Sequence, residues 1–309
     1  MKLAAFDIGT NTVLMLAVEV LPDRSVRRLL DLARITRLGR GVDKNGALDS
    51  DSARRTIDAI ADFADAARKA GAEKFVAVAT SALRDARNGE SFIAEVRNRT
   101  GVALEVISGR VEAELSHLAV VRGLPIDPAA RLLIVDIGGG STELIRCERG
   151  QELALVSLQI GSVRLTERIV RHDPPSREEI ERLREEIERA LGEPGWDFSP
   201  EVMVGIAGTV TTVCAVALGL ETYDPARVHG HVLSREEVSR TLARFGDLPL
   251  AERRKLKGLE EGRADVIFAG TTILDRVMEH FKVPGVVVSD QGVRWGLVWR
   301  EVERLGLCH

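Results

Sequence analysis

The sequence predicts an α/β protein built from two similar domains, on three observations. Apolar runs of strand length alternate with amphipathic helical stretches along the chain. A strand, Asp-Ile-Gly, strand segment occurs twice, as LAAFDIGTNTVLMLAVEV near the amino terminus and as RLLIVDIGGGSTELI from Arg131. The length of 309 residues suits two domains of ordinary size, each with its own core.

In the second copy an apolar run, Leu132 to Val135, ends on Asp136 and is followed by Gly138, Gly139, Gly140, Ser141 and Thr142. Three successive glycines allow a tight turn and leave the backbone open to a ligand. Amide hydrogens around such a turn converge on an anion, and an acid at the strand end can hold a divalent cation beside it. That pattern reads as a phosphate cradle with a magnesium ligand at its lip; the plain alternative is a glycine-rich hairpin. Repetition favours the cradle: Asp7 matches Asp136, Gly9 matches Gly138, and Thr12 lies opposite Ser141. The spacing is too long for a solenoid, so two facing hairpins with a ligand in the cleft between them are expected.

The elements follow in order. Residues 3 to 20 form a hairpin, and Ser25 to Ile35 a third strand, with RLGRGVDKNG as the loop after it. Ser50 or Asp51 caps a helix reaching Lys69, whose Ile57, Ile60 and Phe63 share one face; Gly71 ends it. KFVAVAT is a buried strand, SALRDARNG follows directly, Asn88 to Arg99 is a helix, VALEVISG a strand and RVEAELSHLAVVRGL a helix. Pro125 and Pro128 frame a linker, dividing the chain into residues 1–124 and 125–309, with a terminal helix free to pack back on the first domain. In the second half, strands run from Leu132 to about Ser157 and QIGSVRLTERIV opens a helical region. Ser176 to Leu191 is a surface helix with a Ser176–Glu179 capping box and glutamate–arginine pairs along it. MVGIAGTVTTVCAVALG reads as strand, glycine turn and buried helix. VHGHVLSREEVSRTLARF passes from loop to helix, RADVIFAGTTILDRVMEHF is a buried helix, and GVVVSDQGVRWGLVWREVERL closes with strand and helix.

Composition narrows the function. Hydrophobic residues at 45% and charged residues at 29% are those of a soluble globular protein. Aromatics at 4% argue against base stacking as the main activity, and a net charge of −4 gives no general attraction to nucleic acid, so an anion site must be local. Cys147, Cys214 and Cys308 show neither zinc spacing nor a disulfide framework. No signal peptide opens the sequence and no apolar run approaches the roughly 18 residues of a membrane span, which makes a reducing cytoplasm the expectation.

Neither GxxxxGK[ST] nor GxGxxG occurs, so phosphate must be held by the hairpin turns and other loops. AVATSALRDARN places Thr80, Ser81 and Arg84 just after a strand, where helix amides and a bidentate guanidinium suit an anion. GIAGTVTT offers Gly205, Gly208 and Thr209 in the same arrangement; close packing of a buried helix is the competing explanation. Glu112 opens a helix after the Ser108-Gly109 turn, where it can polarise a water or simply stabilise the helix dipole, and Glu114 is an alternative on another face. Asp7, Asp136 and Glu143 are the metal candidates. His229-Gly230-His231 lacks a third ligand at motif spacing, and the basic run from Arg253 to Gly258 reads as solvated surface or, facing the cleft, as an attractor of a long polyanion.

With these residues in hand, the chain resembles the exopolyphosphatase and guanosine pentaphosphate phosphohydrolase family of the actin-like, ribonuclease H-like superfamily. DIGTNTVLM, ATSALRDARN, EVISGRVEAEL, VDIGGGSTEL, GIAGTVTT, the VHG loop, RADVIFAG and SDQGVRWG occur in the family's order over essentially the whole chain. The resemblance implies two ribonuclease H-like domains flanking a central cleft, with magnesium as cofactor, and a homodimer. It implies release of terminal orthophosphate from inorganic polyphosphate or, as the alternative, removal of one phosphate from guanosine pentaphosphate. Glu112 matches the family's catalytic glutamate, and Asp136 and Glu143 match acids around metal and water. Thr10-Asn11, Gly138 to Thr142, Gly208-Thr209 and Arg84 match phosphate contacts. The family commonly has two adjacent glutamates where Val111 and Glu112 stand, and the chain resembles the short two-domain form. A weakly catalytic nucleotide-binding sensor on the same fold is a reading from another class.

Overall fold

The computed structural model describes residues 1–148, 151, 153–304 and 306. The chain divides into two compact units, residues 1–122 with 293–309, and residues 123–292.

In the first unit β1 (Lys2–Ile8) and β2 (Thr12–Val20) form the expected hairpin, and β3 (Val26–Ile35) continues it as an antiparallel meander. A four-residue helix, α1 (Val42–Asn45), interrupts the segment expected as loop. Helix α2 (Ser50–Lys69) is capped by Asp49, not by Ser50 or Asp51: the Asp49 carboxylate accepts from the Ser52 amide at 2.9 Å. Strand β4 (Lys74–Ala79), α3 (Ser81–Asp85), α4 (Gly89–Thr100), β5 (Leu104–Val106) and α5 (Gly109–Gly123) follow. The five strands lie in the order β3-β2-β1-β4-β5, with β4 and β5 parallel to β1 and to each other.

The second unit carries β6 (Leu132–Ile137), β7 (Thr142–Cys147) and β8 (Ala154–Leu158), again an antiparallel meander. Next come α6 (Ser162–Ile169) and α7 (Arg177–Gly192), whose Ser176–Glu179 capping box is formed in both directions. Then follow β9 (Val202–Ile206), α8 (Ala207–Ala217), α9 (Pro225–Val228), β10 (Val232–Ser234), α10 (Arg235–Asp247) and α11 (Leu250–Arg253). Helix α12 (Ile267–His280) and β11 (Gly285–Val288) complete the unit. Its six strands run β10-β11-β9-β6-β7-β8. Read from the other edge, β8-β7-β6-β9-β11 repeats the first sheet strand for strand: three antiparallel, then two parallel to the central strand. The sequence repeat is therefore a repeat of topology, and β10 is an added antiparallel edge.

The last helix, α13 (Val293–Arg304), belongs to the first unit and packs on β1 and β2. Alternation along the strands sorts the first unit's core into two layers. Ala4, Phe6, Ile8, Val13 and Met15 face α2, while Leu3, Ala5, Leu16 and Val18 face α5 and α13. Arg294 reaches Asp31 of β3 with two hydrogen bonds, 3.0 and 3.2 Å, and Lys74 pairs with the buried Glu301; both bind α13 to the sheet. In the second unit one core gathers Leu133, Val135, Ile137, Leu144 and Leu158 with α6, α7, α8, α10 and α12. Among the described residues no helix is long and apolar enough to cross a membrane.

Candidate active site

The two hairpin turns are built alike. In the first, the Gly9 amide donates to the Thr12 carbonyl at 3.0 Å; in the second, the Gly138 amide donates to the Ser141 carbonyl at 3.0 Å. A methyl group on Gly9 would lie 3.2 Å from the Thr12 oxygen, and one on Gly138 would lie 3.1 Å from the Ser141 oxygen. The residues paired by sequence thus make the same bond in the same place.

Each turn is also held from behind. In the first unit the Gly39 amide donates to the Thr10 carbonyl at 2.8 Å, and the Thr36 and Arg37 amides both donate to Asn11 at 3.0 Å. Thr10, Asn11 and Thr12 are buried. In the second unit the first amides of α6 do this work: Ser162 donates to Gly138 at 3.0 Å, and Val163 and Arg164 donate to Gly139 at 2.9 and 3.0 Å. The Arg164 side chain donates through Nε to Gly140 at 2.6 Å, and Thr142 Oγ1 donates to Ile160 at 2.7 Å. None of these partners was named from sequence. Those of the second turn lie 18 to 25 positions away, with only the start of QIGSVRLTE as a signal.

Asp7 sits on β1 on the face of Leu3 and Ala5, the layer that α5 covers. Glu112 stands in the first turn of α5 and is 8% exposed. Arg84, from α3, donates through Nη1 to Glu112 Oε2 at 2.7 Å and to the Ile107 carbonyl at 2.9 Å. Two residues singled out separately in the sequence are therefore partners. Val111, where a second glutamate is common in the family that the chain resembles, packs on the apolar layer of α5 and α13. Glu114 is exposed and pairs with Arg110 at 3.0 Å along the helix surface.

In the second unit Asp136 and Glu143 are registered directly opposite each other across β6 and β7. Opposed residues of an antiparallel pair put their side chains on one face, so two carboxylates, 6% and 1% exposed, stand side by side. Glu143 Oε1 accepts from Ser157 Oγ at 2.6 Å, its neighbour on β8. Among the described residues no group of three or more His, Cys, Asp or Glu is placed for a metal ion.

Gly208 and Thr209 open α8, after Ala207, which takes a left-handed φ of 68°. A methyl group on Gly208 would fall 2.1 Å from Arg263 Nη1, so the guanidinium of the RADVIFAG segment lies over this turn. Thr209 is buried, and Gly270 packs against its side chain.

The remaining sequence candidates are structural. His229 Nδ1 accepts from the Asp290 amide at 3.2 Å, which leaves Nε2 to donate to the Gly123 carbonyl at 3.1 Å. Arg253, expected on solvated surface, is 3% exposed and donates to the Ala264 and Leu248 carbonyls, both at 2.9 Å. Burial pushes the Cys147 and Cys214 thiols up to about 12, and neither is in a disulfide; Cys308 lies outside the described residues.

Comparison with known proteins agrees with this architecture. The Ppx/GppA phosphatase family model matches residues 20–305. Exopolyphosphatase 2 of Mycobacterium tuberculosis is 35% identical over 96% of this chain and 97% of its own. The guanosine-5'-triphosphate,3'-diphosphate pyrophosphatase of Vibrio cholerae is 30% identical over 98% of this chain and 59% of its own. The crystal structure of the Aquifex aeolicus Ppx/GppA family member superposes with a TM-score of 0.83 at 34% identity, covering 99% of this chain and 98% of that one. Eight motifs in order, a duplicated hairpin with duplicated bonding and full-length likeness lead to one assignment: the chain belongs to the Ppx/GppA phosphatase family.

Proposed function

We propose that the chain is an exopolyphosphatase that transfers the terminal phosphoryl group of inorganic polyphosphate to water. The observation that carries the reading is Glu112, buried at the start of α5 and ion-paired with Arg84, in a chain 35% identical to an exopolyphosphatase over 96% of its length. Glu112 takes a proton from water. The water oxygen forms a bond to the terminal phosphorus, the bridging P–O bond breaks, and orthophosphate leaves a chain one unit shorter. Phosphoryl transfer asks mainly for positioning and charge neutralisation. Arg84, the Thr10-Asn11 turn, Gly138 to Thr142, and Gly208-Thr209 supply donors for that purpose.

Asp136 and Glu143 would hold a magnesium ion, with Asp7 the candidate from the first unit. Two buried carboxylates registered side by side repel each other unless a cation or a proton lies between them, so the donor set fits a hard divalent ion. Magnesium is commonly held by one or two carboxylates together with phosphate oxygens and water, and the Asp136–Glu143 pair supplies two. When bound, the ion neutralises charge on the phosphate. Free Cys147 and Cys214 suit a reducing cytoplasm. The same reading carries a homodimer, which sedimentation velocity checks.

Likeness to the Vibrio cholerae protein favours a second substrate, guanosine pentaphosphate, on the same residues. Orthophosphate release with magnesium from long polyphosphate, short polyphosphate and guanosine pentaphosphate separates the two. Release from polyphosphate that vanishes in Glu112→Gln is the expected result. Release from the nucleotide alone transfers the assignment to the second substrate. Silence on all three with binding intact makes the protein a sensor.

A further inference from the structure

We infer that Arg164 is a positioning residue for the phosphate cradle, aiming the Ser141 amide from behind the turn; the inference rests on the reading of Gly138 to Thr142 as that cradle. In a planar trans peptide the C=O of one residue and the N–H of the next point in opposite directions. A partner that captures a carbonyl therefore sets the direction of the following amide. Capture of Gly138 O by the Ser162 amide and hydroxyl, at 3.0 and 3.3 Å, turns the Gly139 N–H away from α6. Capture of Gly139 O by the Val163 and Arg164 amides does the same for Gly140 N–H. Arg164 Nε on Gly140 O, at 2.6 Å, does it for Ser141 N–H. Three consecutive amides are presented as one set, the arrangement of an anion nest. Glycine on its own would not hold it, because these peptides rotate freely in the absence of a Cβ.

In the first turn main-chain amides, those of Gly39, Thr36 and Arg37, hold the corresponding carbonyls. In the second turn the last peptide depends on a side chain. Arg164 spends its Nε on the protein backbone, so its role is distinct from that of an arginine placed on substrate. Gly161 allows this docking: a methyl group there would meet Gly139 O at 2.4 Å, so α6 can approach only with glycine at that position.

The test uses the full chain, amide NMR with inorganic phosphate as probe, and orthophosphate release from polyphosphate. In the wild type, phosphate is expected to shift the Gly139, Gly140 and Ser141 amide resonances together. Arg164→Met is expected to keep the Gly139 and Gly140 responses, lose most of that of Ser141, and lower kcat roughly 10²-fold, the lower end of the scale of losing one aligned donor. Arg164→Lys, whose ammonium can donate to the same carbonyl, is expected to restore most of both; it is also the deciding variant if Arg164→Met does not fold. A wild type whose three amides ignore phosphate overturns the cradle reading itself. Wild-type shifts with an unchanged Ser141 response and kcat in Arg164→Met, or an Arg164→Lys variant that folds yet loses the Ser141 response entirely, overturn the positioning role alone.

Discussion

Arg84 Nη1 lies 2.7 Å from Glu112 Oε2, and the same nitrogen donates to the Ile107 carbonyl at 2.9 Å. One guanidinium thus joins the segment after β4 to the segment after β5, and fixes the carboxylate proposed as base. Glu112→Gln is expected to keep the fold and lose roughly 10²–10⁴-fold in turnover, the share of a general base. Arg84→Met leaves a buried carboxylate without its cationic neighbour and is expected to cost at least about 10-fold. Because Arg84 acts partly through Glu112 and partly as a phosphate donor, the double variant should lose more than Glu112→Gln alone but less than the product of the two single losses. Steady-state phosphate release from the four proteins checks it; additive losses would mean that the residues act independently.

On the proposed function, Asp136 and Glu143 set stability against activity. In the absence of metal their cross-strand repulsion is unfavourable by up to about 1 kcal/mol. Glu143→Gln keeps an oxygen for Ser157 Oγ and removes one charge. In excess chelator this variant should melt about 2 °C higher than the wild type. In return it should need roughly 10-fold more magnesium for half-maximal phosphate release, the scale seen for loss of one metal-site partner. Calorimetry with and without magnesium gives the first quantity, and a metal titration of activity the second.

Most of the fold was legible because its signals are local. The hairpin strands, the capping box at Ser176 and Glu179, and the buried helix from Ile267 follow from periodicity and capping chemistry read over short windows. The cap of α2 was misplaced by one or two residues because Asp49, Ser50 and Asp51 are all competent, and backbone geometry selects Asp49. The short helix α1 escaped notice because four residues carry no period. At the candidate site the partners of the singled-out residues were not legible. Nothing in AVATSALRD says that Arg84 will meet Glu112, 28 positions on. Likewise, Arg164 is one more arginine in an amphipathic stretch until α6 docks on the glycine turn. Arg253 shows the converse error, since a basic run suggests solvent until two backbone carbonyls claim one of its members.

Gly161→Ala should damage the second turn through space alone. Its backbone is extended, with φ −149°, so any residue could adopt the conformation. The obstacle is a set of main-chain atoms, Gly139 O at 2.4 Å and Gly140 C at 2.6 Å, which have no side-chain freedom to give way. A loss of about 1–3 kcal/mol in stability is expected from such overpacking, with turnover falling as α6 is pushed off the turn. Gly192→Ala is the control: it sits at the end of α7 with no atom within 4 Å of the added methyl, and should leave both unchanged or gain a little stability. Urea unfolding and phosphate release on the two variants distinguish a local steric effect from a general intolerance of glycine substitution.

Glu179 gives the protein an acid-sensitive contact remote from the proposed chemistry. Burial pushes its carboxyl up, but the amides of Ser176 and Arg171, the His172 ring and the His172 amide outweigh it and bring it down to about 2, from an ordinary 4.5. A carboxyl depressed by folding contributes stability that is complete above its unfolded value and lost as pH falls through the folded one. The window here runs from about 4.5 down to about 2. Unscreened, that difference would amount to roughly 3 kcal/mol, and solvent near the helix end reduces it to on the order of 1 kcal/mol. Glu179→Gln should therefore be less stable than the wild type at neutral pH, and the two unfolding curves should converge as the solution is acidified towards pH 2. A stability gap that persists unchanged to the acid limit would assign the role of Glu179 to packing and neutral hydrogen bonds instead of to its charge.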